Sequence, residues 1–281
     1  MAFTILSHMR SSPVIRRVGA FLKQRVVVSD ALKVYYLRLA RFLSTHGIDP
    51  PLTIPAERWE KRWSEQATLG AEDGPELYRS CDDSTEKLFQ EVLPLLDKNS
   101  AILEIGCNKG RHLNYLFQKG FRNLTGIEIG KSAIELFAEI FPDTYQNSTI
   151  IVGSAPDEIR KLKTKSFDLV FVHSVLVSIG TKHNYIFSEM CRICRGYILT
   201  LESEGSWTAF PRDFQYMFEK NGFNMVSYRW LVWTDDKKSL TFPLPVNSKS
   251  FLENNTIRLF APRVSESGTK LFRFQQNVSR Y

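Results

Sequence analysis

The chain has 281 residues, of which 43% are hydrophobic, 24% charged and 12% aromatic. Those proportions exclude a disordered, collagen-like or low-complexity protein and leave ample material for a sizeable core. The formal net charge is +7. Eight basic residues (Arg10, Arg16, Arg17, Lys23, Arg25, Lys33, Arg38, Arg41) against Asp30 and Asp49 put most of it in residues 1–54. No run approaches the roughly 18 apolar residues that cross a bilayer. Four unevenly spaced cysteines do not make a disulfide framework, so reduced thiols and a cytoplasmic setting are expected.

The basic arm comes first. Its first 29 residues contain no acid and are rich in Arg and Ser, a composition shared with organellar import segments. Asp30 reads as an N-cap, and Leu32, Tyr35, Tyr36, Leu39, Phe42 and Leu43 then recur at helical spacing, with Arg38 and Arg41 on the flanks. Two readings stand side by side: a helix that packs its stripe on the body, and an amphipathic helix through which residues 1–45 meet a membrane surface. Residues 47–55 carry three prolines and read as a linker. The expected division is 1–55 as extension and linker, 56–264 as the main domain and 265–281 as a tail.

From residue 82 onward, strands and helices alternate. Leu88, Val92 and Leu95 mark a helix, and residues 101–105 (AILEI) a short buried strand. Leu113, Leu116 and Phe117 fit a helix, and residues 124–127 a second strand. Ala133, Leu136, Phe137 and Ile140 give a helix closed by Pro142, and residues 149–152 a third strand. A fourth strand is expected at 167–172 (FDLVFV), a helix at 184–194, a fifth strand at 197–201 and a helix at 210–220 stopped by Asn221-Gly222. Residues 226–233 and 256–260 read as late strands separated by a long loop. Short apolar strands alternating with helices demand a parallel sheet covered on both faces. Ligands of such sheets bind beyond the carboxyl ends of the strands.

The loops at that edge carry the chemistry. The first reads Glu104-Ile105-Gly106-Cys107-Asn108-Lys109-Gly110-Arg111. A dinucleotide fingerprint fails at Asn108 and Arg111, and a phosphate-binding loop fails because Gly110 is followed by Arg-His. Glu104 repels phosphate and suits a cationic, phosphate-free ligand. The second loop delivers Glu128, a residue type that accepts hydrogen bonds from both hydroxyls of a ribose, with Ile129 next to it for an adenine face. The third, Gly153-Ser154-Ala155-Pro156, offers small residues and main chain to an adenine edge.

Taken in order, EIGCNKG, GIE, Gly-Ser-Ala and FDLVFVHSVL resemble the class I S-adenosylmethionine-dependent methyltransferases over about residues 57–230, including the paired tryptophans of RWEKRW. The resemblance implies a Rossmann-like, doubly wound seven-stranded α/β sheet with an antiparallel last strand, and S-adenosyl-L-methionine as cofactor. It places Glu104, Gly106, Asn108 and Gly110, with Cys107 in the same loop, around the methionine part. Glu128 then meets the ribose, and Ser154 and Ala155 meet the adenine. The family often has Asp where Ser154 stands, and Asn108 replaces its middle glycine, a residue type that tolerates positive φ.

His173, at the end of the fourth strand, stands where a base would act on an acceptor hydroxyl, or where a histidine would fix the loop or touch the cofactor. The stretch after it lacks the Asn/Asp-Pro-Pro-aromatic element used on nucleobase amines, so nucleic acid is not the expected partner. Glu202 and Glu204 in the fifth loop suit a sugar hydroxyl, a cationic acceptor or plain solvent, and Trp207, Phe210, Trp230 and Trp233 suit either pocket walls or core. Cys191 and Cys194 lack a second pair, so no metal site is expected and both are placed on a helix face. The expected activity is methyl transfer to a small-molecule or saccharide-like acceptor on oxygen. An RNA-directed enzyme using the basic arm and a non-catalytic scaffold are the alternatives.

Overall fold

A computed structural model describes residues 30–65, 83–204, 209–233, 239–242 and 255–263. Nine helices are labelled here in chain order: α1 Asp30–Thr45, α2 Ala56–Glu65, α3 Asp83–Phe89, α4 Arg111–Gln118, α5 Lys131–Ile140, α6 Pro142–Gln146, α7 Ala155–Glu158, α8 Ile186–Ile193 and α9 Phe214–Glu219. The strands are β1 Ile102–Ile105, β2 Leu124–Glu128, β3 Ser148–Val152, β4 Phe167–His173, β5 Cys194–Glu202, β6 Phe223–Trp233, β7 Ser239–Phe242 and β8 Asn255–Pro262. They form one sheet in the order β3-β2-β1-β4-β5-β8-β6-β7.

β1 to β5 pair in parallel, while β8 runs antiparallel to both β5 and β6. The expected seven-stranded doubly wound sheet with its antiparallel final strand is therefore present. The four-residue β7, hairpinned on β6 at the edge, is added to it from within the expected long loop. Strand order reverses between β1 and β4, and the cavity opens beyond the carboxyl ends at that switch.

Period-two alternation explains how apolar runs serve two faces. Along β4, Val170 and Val172 pack with Leu103 and Ile105 of β1 and with Ile186, Met190 and Phe214 of α8 and α9. Leu169 and Phe171 point the other way, with Ile102 of β1, Leu113 and Leu116 of α4 and Phe89 of α3. By the same parity, Glu104 and His173 belong to the α4 face. Glu202, in phase with Ile198, belongs to the α8–α9 face.

Several local expectations shift. The helix through Leu88 ends at Phe89, and Leu93–Leu95 continues as a separate 3₁₀ turn, because Pro94 has no N–H to carry an α-helix onward. α9 starts at Phe214, where the Asp213 side chain accepts from the Tyr216 N–H. The helix stops near Gly222, whose φ is +88°. Cys194 lies at the start of β5 instead of on a helix face, its Sγ donating to the Tyr197 carbonyl at 3.2 Å. Burial pushes the thiols of Cys191 and Cys194 up to about 12, so neither is a ready thiolate.

α1 departs from its expected stripe. Tyr36, Leu37 and Ala40 are buried, whereas Leu32, Tyr35, Leu39 and Phe42 are exposed. The helix is apolar on two sides, and the packed side is fastened by polar contacts. Asn184 Nδ2 donates to the Ser44 carbonyl at 2.8 Å, Asp213 N–H donates to Thr45 Oγ1 at 2.9 Å, and Arg41 pairs with Asp213 at 3.2 Å. The linker is tied as well, with Thr181 Oγ1 donating to Asp49 at 2.6 Å.

Candidate active site

The first loop is shaped by three left-handed residues. Gly106, Asn108 and Gly110 have φ of +74°, +46° and +75°, so the loop needs two glycines and one residue tolerant of that region. A Cβ at Gly106 would overlap the Val175 side chain, and one at Gly110 would overlap the Phe137 ring. These glycines thus serve close packing of loop against protein as well as the turn itself. Cys107 faces inward, packed in the core with Leu113 and against Gly126. Burial pushes its thiol well above the usual range, so its place in a binding loop is that of main chain.

Glu128 ends β2 and fastens two loops together. Its Oε2 accepts from the Asn108 N–H at 2.9 Å, and its Oε1 accepts from the Gly130 N–H at 2.8 Å. Burial raises its carboxyl, and those backbone donors offset only part of the rise. Each oxygen retains a second acceptor direction.

Glu104 is almost wholly buried, 1% exposed. Its Oε1 lies 2.7 Å from His112 Nδ1, while its Oε2 is buried with no hydrogen-bond partner among the described residues. Desolvation holds its carboxyl well above the usual range, with Arg111 opposing. An orphaned carboxylate oxygen at a cavity wall calls for a cation or donor from a ligand.

The cavity measures about 290 Å³, just under the roughly 300–1,000 Å³ of ligand pockets. It brings together Glu104, Gly106, Cys107, Asn108, Glu128, Ile129, Ser154, Ala155 and His173. Gly110 lies outside its wall, behind the loop it turns. Ser154 precedes α7 without using its hydroxyl as a cap.

The sequence reading missed part of this wall. Ala56, Glu60 and Trp63 of α2 line the cavity together. Their i, i+4, i+7 spacing was the available signal for one helix face. His112, Lys182 and His183 were also missed. Burial and Lys182 lower the imidazole of His183.

The fifth-loop acids are not where they were expected. Glu202 is fully buried and Glu204 is 2% exposed. Glu202 accepts from the N–H groups of Val175, Leu176 and Val177 at 3.1, 2.9 and 3.3 Å. Arg212 holds the other side of the same turn, donating to the carbonyls of Leu176 and Ile179. Glu204 makes a two-pronged pair with Arg258 at 2.7 and 3.0 Å and accepts from Thr256 Oγ1. Neither carboxylate faces solvent or an acceptor. Phe210 and Trp230 are buried outside the cavity wall. Trp207 and the side chain of Trp233 lie outside the described residues.

Comparison with known proteins agrees with this geometry. Residues 103–197 match the family described as a methyltransferase domain. This segment is similar to the domains of class I S-adenosylmethionine-dependent methyltransferases. S-adenosylmethionine is the cofactor of that class.

A stretch of 110 residues is 34% identical to peramine synthetase ppzA of Metarhizium rileyi, covering 37% of this chain and 4% of that protein's length. The fold is similar to a structure described as a sarcosine dimethylglycine methyltransferase candidate from Galdieria sulphuraria, with a TM-score of 0.51 and 12% identity. That match covers 64% of this chain and 85% of the other. A candidate methyltransferase solved with the Haloferax volcanii Trm112 methyltransferase activator gives a TM-score of 0.52 at 12% identity, over 73% of this chain and 98% of the other. At such identities the two structures speak for the fold.

Proposed function

We propose that the chain transfers a methyl group from S-adenosylmethionine to a small-molecule acceptor, on oxygen. The observation that carries this reading is the buried Oε2 of Glu104, which has no hydrogen-bond partner among the described residues, in a cavity shared with Glu128. Two buried carboxylates favour a cationic, hydroxyl-bearing ligand over a phosphate. Glu104 would meet the ammonium, Glu128 the ribose hydroxyls, Ile129 the adenine face, and Ser154 and Ala155 its edge. The loop main chain at Gly106 and Asn108 would border the methionine part. When bound, the cofactor supplies a methyl group activated by a positively charged sulfur.

The chain's own contribution is alignment, exclusion of water and proton removal. Trp63 and Ile179 give the cavity apolar walls. His173, at its edge, takes the proton from an acceptor hydroxyl. With Glu202 and Glu204 committed internally, the saccharide variant of this reading loses the carboxylates that would have held sugar hydroxyls. The acceptor class therefore rests on His173 and the apolar walls.

Calorimetry with S-adenosylmethionine and its demethylated product is expected to show binding. Absence of heat at millimolar ligand with folded protein points to a scaffold instead. Tritiated-methyl transfer into fractionated extract is then expected to label a small-molecule pool, and label in RNA would replace that acceptor. His173→Ala is expected to lower turnover by about 10²–10⁴-fold with cofactor affinity retained. Equal loss of both would make His173 a cofactor ligand.

We also propose that α1 rests on an anionic lipid surface. Leu32, Tyr35, Leu39 and Phe42 are exposed along one ridge, and the 29 residues before α1 hold five basic residues and no acid. Sedimentation with phosphatidylserine-containing vesicles is expected to bring the protein down. Leu39→Asp with Phe42→Asp should release it, and equal binding to neutral vesicles would overturn the reading.

A further inference from the structure

Of the three histidines on the cavity wall, His112 is the one in contact with His173. His112 is buried on α4, and its two ring nitrogens face different partners: Nδ1 lies 2.7 Å from Glu104 Oε1 and Nε2 lies 3.3 Å from His173 Nδ1. The two imidazoles are 5.1 Å apart between centroids and tilted by 39°. The order Glu104–His112–His173 follows from the sheet. Glu104 and His173 point to the same face from neighbouring strands, and α4 packs on that face.

A chain of this kind has a direction. A neutral imidazole carries one N–H and one lone pair. With Glu104 ionised, Oε1 can only accept, so His112 Nδ1 must donate and its Nε2 becomes an acceptor. His173 Nδ1 must then donate to His112. The lone pair of His173 is left on Nε2, the nitrogen turned away from His112. That tautomer is the one a base needs.

We infer that His112 is a positioning residue that fixes His173 in its Nδ1–H tautomer, with Glu104 setting the direction of the chain. This rests on the reading of His173 as the base under Proposed function, and it deepens that reading. Burial that raises the Glu104 carboxyl works against the ionised form. The same chain reversed would put the proton on His173 Nε2 and make it a donor.

The test needs neither cofactor nor acceptor, so its failure is separable from failure of the methyl-transfer assignment. Two-bond ¹H–¹⁵N spectra of protein labelled at its five histidines are recorded as a pH series, and the tautomers are read where the nitrogen shifts themselves show each imidazole to be neutral. The expected result is a protonated, pyrrole-type Nδ1 and a pyridine-type Nε2 on both His112 and His173. In His112→Phe, His173 is expected to revert to the Nε2–H form that water favours. In His112→Gln, the amide N–H can still donate to Glu104 and its oxygen can still accept from His173, so the Nδ1–H form is expected to persist. An Nε2–H His173 in the unmodified protein overturns the inference. So does an unchanged tautomer in folded His112→Phe, or its loss in folded His112→Gln.

Discussion

Glu104 and Glu202 are buried carboxylates at the ends of β1 and β5, and they face opposite sides of one sheet. Glu202 has both oxygens occupied by backbone N–H groups of a single turn, whose carbonyls Arg212 holds from the other side. Glu104 has one oxygen on His112 and one with no hydrogen-bond partner among the described residues. A carboxylate whose hydrogen bonds close within the fold is part of the scaffold. One that stays partly unsatisfied beside a cavity costs stability, and that cost is recovered when a ligand arrives. The Glu202–Arg212 clamp also serves the site, because the turn it holds carries Val175 and Ser178 into the cavity wall.

The contrast is sharpest in stability. Glu202→Ala leaves the buried N–H groups of Val175, Leu176 and Val177 without their acceptor and is expected to cost about 3–5 kcal/mol in urea unfolding. A loss below about 1 kcal/mol would show that the turn holds without its clamp. The pH dependence comes next. Burial raises Glu202 from 4.5 to about 7, so between those values the folded chain keeps a proton that the unfolded chain has released. Stability should therefore fall as pH rises through that window, by up to about 3 kcal/mol, and level off above it. Glu104 and Glu128 are shifted in the same direction, so the share belonging to Glu202 is the slope that disappears in Glu202→Gln.

On the other face, Glu104→Gln is expected to leave unfolding nearly unchanged and to weaken S-adenosylmethionine by about 1.5–3 kcal/mol, the worth of a hydrogen bond to a charged group. Destabilisation as large as that of Glu202→Ala would abolish the distinction drawn here. Glu128 lies between the two cases, satisfied by two backbone donors yet lining the cavity. Glu128→Ala should cost about 1–3 kcal/mol of cofactor affinity by titration. Unchanged affinity would move Glu128 to the scaffold side of the comparison.

Much of the fold was legible because period-two apolar runs and glycine-marked turns are local signals. The strands at 102–105, 124–128 and 167–173 and the left-handed Gly106, Asn108 and Gly110 fall where those signals put them. The fate of the fifth-loop acids was not legible. Alternation along β5 separates Glu202 from Leu201, but which turn would lie over it depends on how residues 175–179 fold back. Which face of α1 packs on the body was not legible for a related reason. Its sequence holds two apolar faces, and the choice of Tyr36, Leu37 and Ala40 for burial was made by partners more than 130 residues away, such as Asn184 and Asp213.

What the amino-acid order determined unaided was the alternation of strand and helix, and with it the edge where a ligand sits, because strand parity and turn conformation depend on neighbours within a few residues. What tertiary structure decided was the partner of each buried charge: His112 for Glu104, a turn's amides for Glu202, Arg258 for Glu204. A buried charge is settled by whichever complementary group the packed chain brings within about 3 Å. That distance is set by sheet register and helix docking, which no local stretch of sequence encodes.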